Sequence, residues 1–151
     1  MRVGAYDDPE VVAMTQEVQA EYAVLYGGDG DTAPIAADEF VAPNGHFIVA
    51  EVDGEAAAMG GWRRGGPEPG DAEVKRMFVR ARFRRQGLSR LVLAEVERTA
   101  AEAGVRRLVL ETGLKQPEAI ALYRASGYED VPPFGYYAES PSSVPLGKSL
   151  V

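Results

Sequence analysis

Apolar residues in the first part of the chain recur at the spacing of a helix. Between Pro9 and Tyr26 apolar residues recur at roughly helical spacing, at Val11, Val12, Met14, Val18, Tyr22 and Leu25. Two aspartates precede Pro9, as is common where helices begin, and glycines follow Tyr26. The pattern predicts a helix from about Pro9 to Tyr26, a short strand before it over Arg2–Tyr6, and after it a loop as far as Phe40 with room for one short helix.

Two apolar runs in the next segment are separated by a turn signal. Gly45–Val52 and Ala56–Arg63 flank the dipeptide Asp53-Gly54, and Asp-Gly favours the tight turns of β-hairpins. This segment is therefore predicted to form an antiparallel hairpin.

The second half of the chain alternates strand-like and helix-like runs. Strands are predicted over Ala72–Val79 and Val105–Glu111, and a short helix between Pro117 and Gly127. The longer helix between the two strands ends at Gly104, and its predicted apolar face consists of Leu88, Leu91, Val92, Val96 and Ala103. A strand, a helix and a second strand in this length imply a right-handed crossover and locally parallel strands.

The last part of the chain is predicted to add two strands, over Tyr128–Val131 and Ser143–Leu150. Pro145 cannot donate a hydrogen bond to a neighbouring strand, so we expect it at an edge or near a late strand start. The elements together predict a single α/β (α+β) domain over residues 1–151, with a mixed central sheet of about six to seven strands and helices on both faces.

Composition limits the classes of function. The 151 residues include no cysteine, which excludes disulfides, thiolate metal sites and thiol nucleophiles. The only histidine, His46, has no partners for a triad or a metal cluster, so no metal is expected. No run is long enough to span a bilayer, and we expect a cytoplasmic protein without a membrane partner. The net charge of −7 argues against nucleic-acid binding and mildly favours cationic substrates.

One segment reverses this charge. From Lys75 to Arg90 seven of sixteen residues are basic and none is acidic. The segment joins a predicted strand to a predicted helix, where the first N–H groups of the helix lack partners and the helix dipole favours an anion. Gly87 allows the backbone to approach a phosphate closely.

The spacing Arg84-x-x-Gly87-x-Ser89 resembles the R/Q-x-x-G-x-G/A pyrophosphate loop of the GCN5-related N-acetyltransferases (GNAT), with Ser in the third position. Downstream, the run from Ala119 to Tyr128 is similar to the A-x-x-L-Y-x-x-x-G-F/Y signature of the same family. The resemblance implies a GNAT-type domain with splayed central parallel strands. It also implies transfer of the acetyl group of acetyl-CoA to a primary amine by direct attack in a ternary complex.

The resemblance also implies a set of cofactor-binding residues: Phe78, Val79, Arg84, Arg85, Gln86, Gly87, Leu88, Ser89, Arg90, Gln116 and Tyr123. Main-chain groups near Phe78 and Val79 would pair with the pantetheine arm and polarise the thioester oxygen. Gln116 takes the place of an asparagine that often contacts the pantetheine. Arg80, Arg82 or Arg90 would reach the 3′-phosphate.

Three side chains are candidates for the chemistry. An alkyl ammonium has a pKa of about 10.4, so a base must remove its proton before attack. By resemblance Glu73 corresponds to the general base of histone-acetylating members, although an ion pair with the nearby Lys75 is an equal alternative. Glu111, at the end of the next strand, is the other candidate base. Tyr123 is at the position of the acid that protonates the leaving thiolate, with a buried packing role as the alternative.

The acceptor is expected to be a small-molecule or peptide amine. The residues that are candidates to contact it are Tyr22, Tyr26, Asp29 and Asp31. In the alternative interpretation the two tyrosines belong to the core and the two aspartates to a solvated loop. The loop with Tyr136-Tyr137 is a further candidate. A non-catalytic acyl-CoA-binding or regulatory module and an enzyme for a longer acyl-CoA remain alternatives, and a homodimer is left open.

Overall fold

The computed structural model describes residues 1–151, which form three α-helices and seven strands. The helices are α1 (Pro9–Tyr26), α2 (Leu88–Glu102) and α3 (Pro117–Ala125). The strands are β1 (Arg2–Val3), β2 (Gly45–Val52), β3 (Glu55–Arg64), β4 (Asp71–Val79), β5 (Arg107–Gly113), β6 (Glu129–Asp130) and β7 (Ser143–Ser149).

All seven strands belong to one mixed sheet with the order β1-β2-β3-β4-β5-β7-β6. The pair β4–β5 is parallel and every other pair is antiparallel. A core that includes residues of α1 covers one face, and a larger core with residues of α2 and α3 covers the other. This arrangement confirms the predicted α/β class, with helices on both faces. None of the three helices is both long and apolar enough to cross a bilayer.

The local signals of the first half place its elements correctly. Helix α1 has the predicted bounds, and Gly27 after it has a φ of 76°, which continues no helix. Its buried residues are Val11, Met14 and Val18. The hairpin β2–β3 turns at Asp53-Gly54, where both residues have positive φ.

The buried face of α2 differs from the prediction. Leu91 is 53% exposed, whereas Leu93 is 2% exposed and belongs to the core with Val92, Val96 and Ala100. Ala103 also lies on the surface. The helix crosses β2, β3 and β4, and this crossing, which the local sequence does not encode, selects the contacting stripe.

The pairing of strand β7 explains how a proline is accommodated at position 145. The strand lies between β5 and β6, but β6 pairs only with Leu146 and Gly147. The carbonyl of Pro145 accepts from the N–H of Val131 beyond the end of β6, and in an antiparallel strand the nitrogen of a residue points to the same side as its carbonyl. The missing N–H of Pro145 therefore faces a side without a continuous partner strand, as expected of a local edge.

Candidate active site

The two parallel strands separate at the centre of the sheet. Residues Asp71–Glu73 of β4 pair with Arg107–Val109 of β5, and no pairing continues beyond them. A small cavity of about 80 Å³ opens in this gap. The gap confirms the predicted splay of the central strands.

A β-bulge changes which face the side chains of β4 occupy. Arg76 has a φ of 58°, and the register with β3 shifts between Gly61↔Lys75 and Met59↔Phe78. One extra residue in β4 interrupts the alternation of side chains. Lys75 and Arg76, which would face opposite sides in a regular strand, therefore both reach the carboxylate of Asp31, at 3.2 and 3.1 Å.

A groove of about 640 Å³ runs between α1, the loop after β4 and α3. Nine of the eleven predicted cofactor residues line it: Phe78, Val79, Arg84, Arg85, Gly87, Leu88, Ser89, Gln116 and Tyr123. Gln86 and Arg90 do not, and both are exposed. The backbone N–H groups from Gly87 to Arg90 donate to no protein acceptor, and no side chain caps α2. The groove thus ends at free donors that suit a phosphate.

Most of the arginines of the basic segment are paired with carboxylates. Arg84 donates to both carboxylate oxygens of Glu21 in α1 (2.8 and 2.7 Å) and to the Val79 carbonyl (3.0 Å). Arg80 pairs with Glu17, and Arg82 pairs with Glu55. Neither Arg80 nor Arg82 lines the groove.

A second cavity of about 250 Å³ adjoins the gap on the α1 face. Its lining is polar: Tyr22, Tyr26, Gly30, Asp31, Glu73, Lys75, Glu111, Thr112, Gly113, Gln116, Tyr137, Ser140, Ser142 and Ser143. We call this cavity the polar pocket. It contains three of the four residues predicted to meet an amine, whereas Asp29 is exposed and does not line it.

Asp31 is the most heavily bonded carboxylate of the polar pocket. Besides Lys75 and Arg76, the Tyr137 hydroxyl and the N–H of Ala33 donate to it. Burial alone would raise the pKa of Asp31, but these neighbours outweigh it and lower the pKa below its usual range. Asp31 is therefore an anchor that fixes the loop after α1 and the Tyr137 loop to β4.

Glu111 has the environment of a base. Burial raises its pKa above the ordinary value, and the neighbouring charges of Glu73 and Asp31 raise it further. The Ser143 hydroxyl donates to Glu111 at 2.8 Å and, with Lys75, opposes the rise. No cation forms an ion pair with Glu111, so its lone pairs are available to a substrate.

Glu73 lines the same pocket, but its ion-pair partner is Arg63 and not Lys75. Arg63 donates to it through Nε (3.3 Å) and Nη2 (3.0 Å), because Arg63 and Glu73 are directly opposite in the β3–β4 ladder. Lys75, the predicted partner, pairs with Asp31 instead. Glu73 is thus engaged in a cross-strand ion pair that sequence spacing alone did not reveal.

Tyr123 of α3 approaches the gap from the face of the sheet opposite to α1. It is 6% exposed and lines both the groove and the gap. Burial raises its pKa, and the nearby Tyr22 adds to the effect. Tyr22 and Gln116 line the groove, the gap and the polar pocket, so both lie where the three spaces meet.

Sequence reasoning missed Ser143 and Arg63 as partners of the two carboxylates. Ser143 belongs to the last strand and reaches Glu111 from 32 positions away. No short motif marks either residue. A correct register for β3–β4 and β5–β7 would have revealed both.

Comparison with known proteins gives consistent matches. A family model described as the acetyltransferase (GNAT) family matches residues 5–128. An IAA acetyltransferase of Azospirillum brasilense is 34% identical over 140 residues, which cover 93% of this chain and 90% of that protein. A solved structure assigned as an acyl-CoA N-acyltransferase of Klebsiella pneumoniae has a TM-score of 0.81 and 28% identity, covering 99% of this chain and 96% of that one. The fold is also shared by the PaiA N-acetyltransferase of Thermoplasma acidophilum in complex with coenzyme A, at a TM-score of 0.69, 12% identity and 99% coverage of both chains.

Proposed function

The chain belongs to the GNAT acetyltransferase family, whose cofactor is acetyl-CoA, and we propose that it acetylates a primary amine of a small molecule or peptide by direct attack in a ternary complex. One observation carries the proposal. The gap between β4 and β5 adjoins both the groove that ends at free N–H donors and the carboxylate-lined polar pocket. A cofactor and an acceptor held in these two spaces would meet at the gap.

The residues of the groove fit the cofactor. The free N–H groups from Gly87 to Arg90 suit a pyrophosphate, and Arg84 and Arg85 add positive charge beside them. The side of β4 that faces the gap has no strand partner beyond Glu73, so its main-chain groups can pair with amide groups, except the Val79 carbonyl, which accepts from Arg84. Bound in this groove, acetyl-CoA supplies the acetyl group as a thioester.

Glu111 is the base that we favour. It removes the proton of the acceptor ammonium, directly or through a water, because its pKa is raised and no cation occupies it. Glu73 is the weaker candidate, since its carboxylate already accepts two hydrogen bonds from Arg63. In this assignment Glu73 adds negative charge that attracts the ammonium and raises the pKa of Glu111.

Tyr123 is the acid that we favour. Burial raises the pKa of its phenol, so the hydroxyl keeps its proton until the sulfur leaves. The thiolate would be formed in the groove, which Tyr123 lines on the side of the gap. The gap itself, at about 80 Å³, favours a short acyl group over a long one.

The proposal is tested by titrating the protein with acetyl-CoA in a calorimeter and then measuring thiol release with a panel of amines. Gly87→Asp is the cofactor-site variant, because its φ of 78° is strained for any side chain and the carboxylate would repel the phosphates. Lys148→Met, which removes a cation at the end of β7 remote from Ser143, is the matched control. We expect Gly87→Asp to weaken acetyl-CoA binding at least tenfold and Lys148→Met to leave it unchanged.

The assay also separates the proposal from its main alternative. Acetyl-CoA binding with no amine-dependent thiol release would support a non-catalytic acyl-CoA-binding module. Failure to bind acetyl-CoA would refute the cofactor site itself.

A further inference from the structure

One carboxylate of the polar pocket, Asp31, is shared by two cations. The β-bulge at Arg76 directs two cations, Lys75 and Arg76, to the same Oδ2 atom of Asp31. Arg76 is the better integrated of the two. Its side chain is 5% exposed, and its Nε donates to the Tyr6 hydroxyl at 3.1 Å. Asp31 is thus already paired with Arg76, and Lys75 is the cation of the two that lines the polar pocket.

The ammonium of Lys75 has unused donors. It carries three N–H bonds, and its hydrogen bond to Asp31 is the only one that it makes. Its side chain is 11% exposed and lines both the polar pocket and the gap. A largely desolvated ammonium with free donors is a strong site for an anionic group.

The other carboxylates of the polar pocket make no hydrogen bond to Lys75. Glu73 is held by Arg63, and Glu111 is bonded to Ser143 and not to Lys75. The pocket therefore presents a cationic donor and a free base to the same small space.

The rest of the lining offers many hydrogen-bonding groups. None of the fourteen lining residues has an aliphatic side chain. Serine, threonine and tyrosine hydroxyls and the Gln116 amide contribute hydrogen-bonding groups, beside the rings of three tyrosines. A small acceptor with several polar groups matches this lining, because each buried polar group needs a partner.

We propose that the acceptor carries a carboxylate close to its primary amine, as an α-amino acid does, and that Lys75 is the specificity-determining residue that binds this carboxylate. The inference rests on the proposed function and narrows its substrate class. Lys75 holds the anionic end while the amine faces Glu111.

The test uses matched pairs of acceptors in the thiol-release assay. Glycine, alanine, serine, threonine and methionine are each compared with their carboxamides, and ethanolamine and putrescine serve as amines without a carboxylate. The variants are Lys75→Met, which removes the ammonium, and Lys75→Arg, which keeps the charge. The measured quantity is kcat/KM for each acid divided by kcat/KM for its amide. Comparing this ratio between wild type and variant cancels the different basicity of the two amines.

We expect the wild type to prefer acids and Lys75→Met to lower the acid-to-amide ratio at least tenfold, with Lys75→Arg restoring a substantial part of it. Lys148→Met should leave the ratio unchanged. If Lys75→Met slows acids and amides by the same factor, Lys75 only holds Asp31 and the inference is wrong.

Two further outcomes distinguish the inference from the function on which it rests. Turnover of ethanolamine, putrescine or the amides without any preference for acids would overturn the inference and leave the acetyltransferase proposal intact. No thiol release from any amine, with acetyl-CoA bound, would overturn both.

Discussion

Replacing Glu111 with Gln removes the proposed base while keeping the size of the side chain and its ability to accept from Ser143. A positioned general base contributes about 10²- to 10⁴-fold to a rate, or about 3–5 kcal/mol of activation free energy. We therefore expect kcat/KM for amine acetylation to fall by at least about 10²-fold. Acetyl-CoA binding should be unchanged, because Glu111 does not line the groove.

The pH profile identifies the group that is lost. The pKa of Glu111 is raised, mainly by burial and then by Glu73 and Asp31. Below this pKa the carboxyl is protonated and cannot accept a proton, so the wild-type kcat/KM should decline with falling pH along a limb that lies above the usual glutamate range. Glu111→Gln should lose this limb and follow only the ionisation of the acceptor amine. Ser143→Ala removes a donor that stabilises the carboxylate, so it should shift the limb to higher pH.

Stability provides an independent check on the same variant. Because the folded pKa of Glu111 is raised, its ionised form costs stability, and the cost is absent below the unfolded pKa and complete above the folded one. Glu111→Gln should therefore melt at the same or a higher temperature than wild type at pH 7, and the difference should vanish near pH 4. The matched control is Glu73→Gln, which breaks an ion pair with Arg63 but should retain the pH limb. Loss of the limb in Glu73→Gln, with an intact profile in Glu111→Gln, would refute the assignment.

Three further predictions concern the acid, the cofactor groove and the core. Tyr123→Phe should lower kcat about 10²-fold or more while changing the acetyl-CoA Kd little; an equal loss of binding and rate, measured by calorimetry and thiol release, would indicate a packing role. Glu21→Gln frees Arg84 to bind phosphate. Because both side chains of the ion pair are 42% exposed, acetyl-CoA should bind up to about fivefold more tightly at low salt. Calorimetry at rising ionic strength should show this gain disappear, and weaker binding in the variant would contradict this role of the pair. Leu93→Ala should cost about 2–5 kcal/mol of unfolding free energy in urea titrations, whereas Leu91→Ala should stay within about 0.5 kcal/mol; equal costs would contradict the observed packing of α2.

Local chemistry predicted the outline of the fold. The bounds of α1 follow from Pro9 at its start and Gly27 after its end, and the β2–β3 hairpin follows from Asp53-Gly54. These signals depend only on the backbone preferences of a few consecutive residues, which do not require the rest of the fold. The basic segment was visible for a similar reason, because its basic residues and its glycine lie within one short stretch of the sequence.

The partners of the candidate catalytic groups depended on tertiary structure. Glu73 is opposite Arg63 because of the β3–β4 register, and Glu111 meets Ser143 because β7 lies beside β5. Such pairings join residues that are far apart in the chain, so no local pattern encodes them. The raised pKa of Glu111 is a consequence of the same assembly.

The sequence by itself determined the order of the elements, the basic loop at Arg84–Ser89 and the identity of the candidate acid and bases. Only the tertiary structure decided which charges face one another. The bulge at Arg76 shows why: a single residue with positive φ interrupts the side-chain alternation of β4 and brings Arg76 to the same carboxylate as Lys75. Such a bulge depends on how two strands pair and not on the composition of either strand, so the sharing of Asp31 by Lys75 and Arg76 becomes visible only after the sheet has formed.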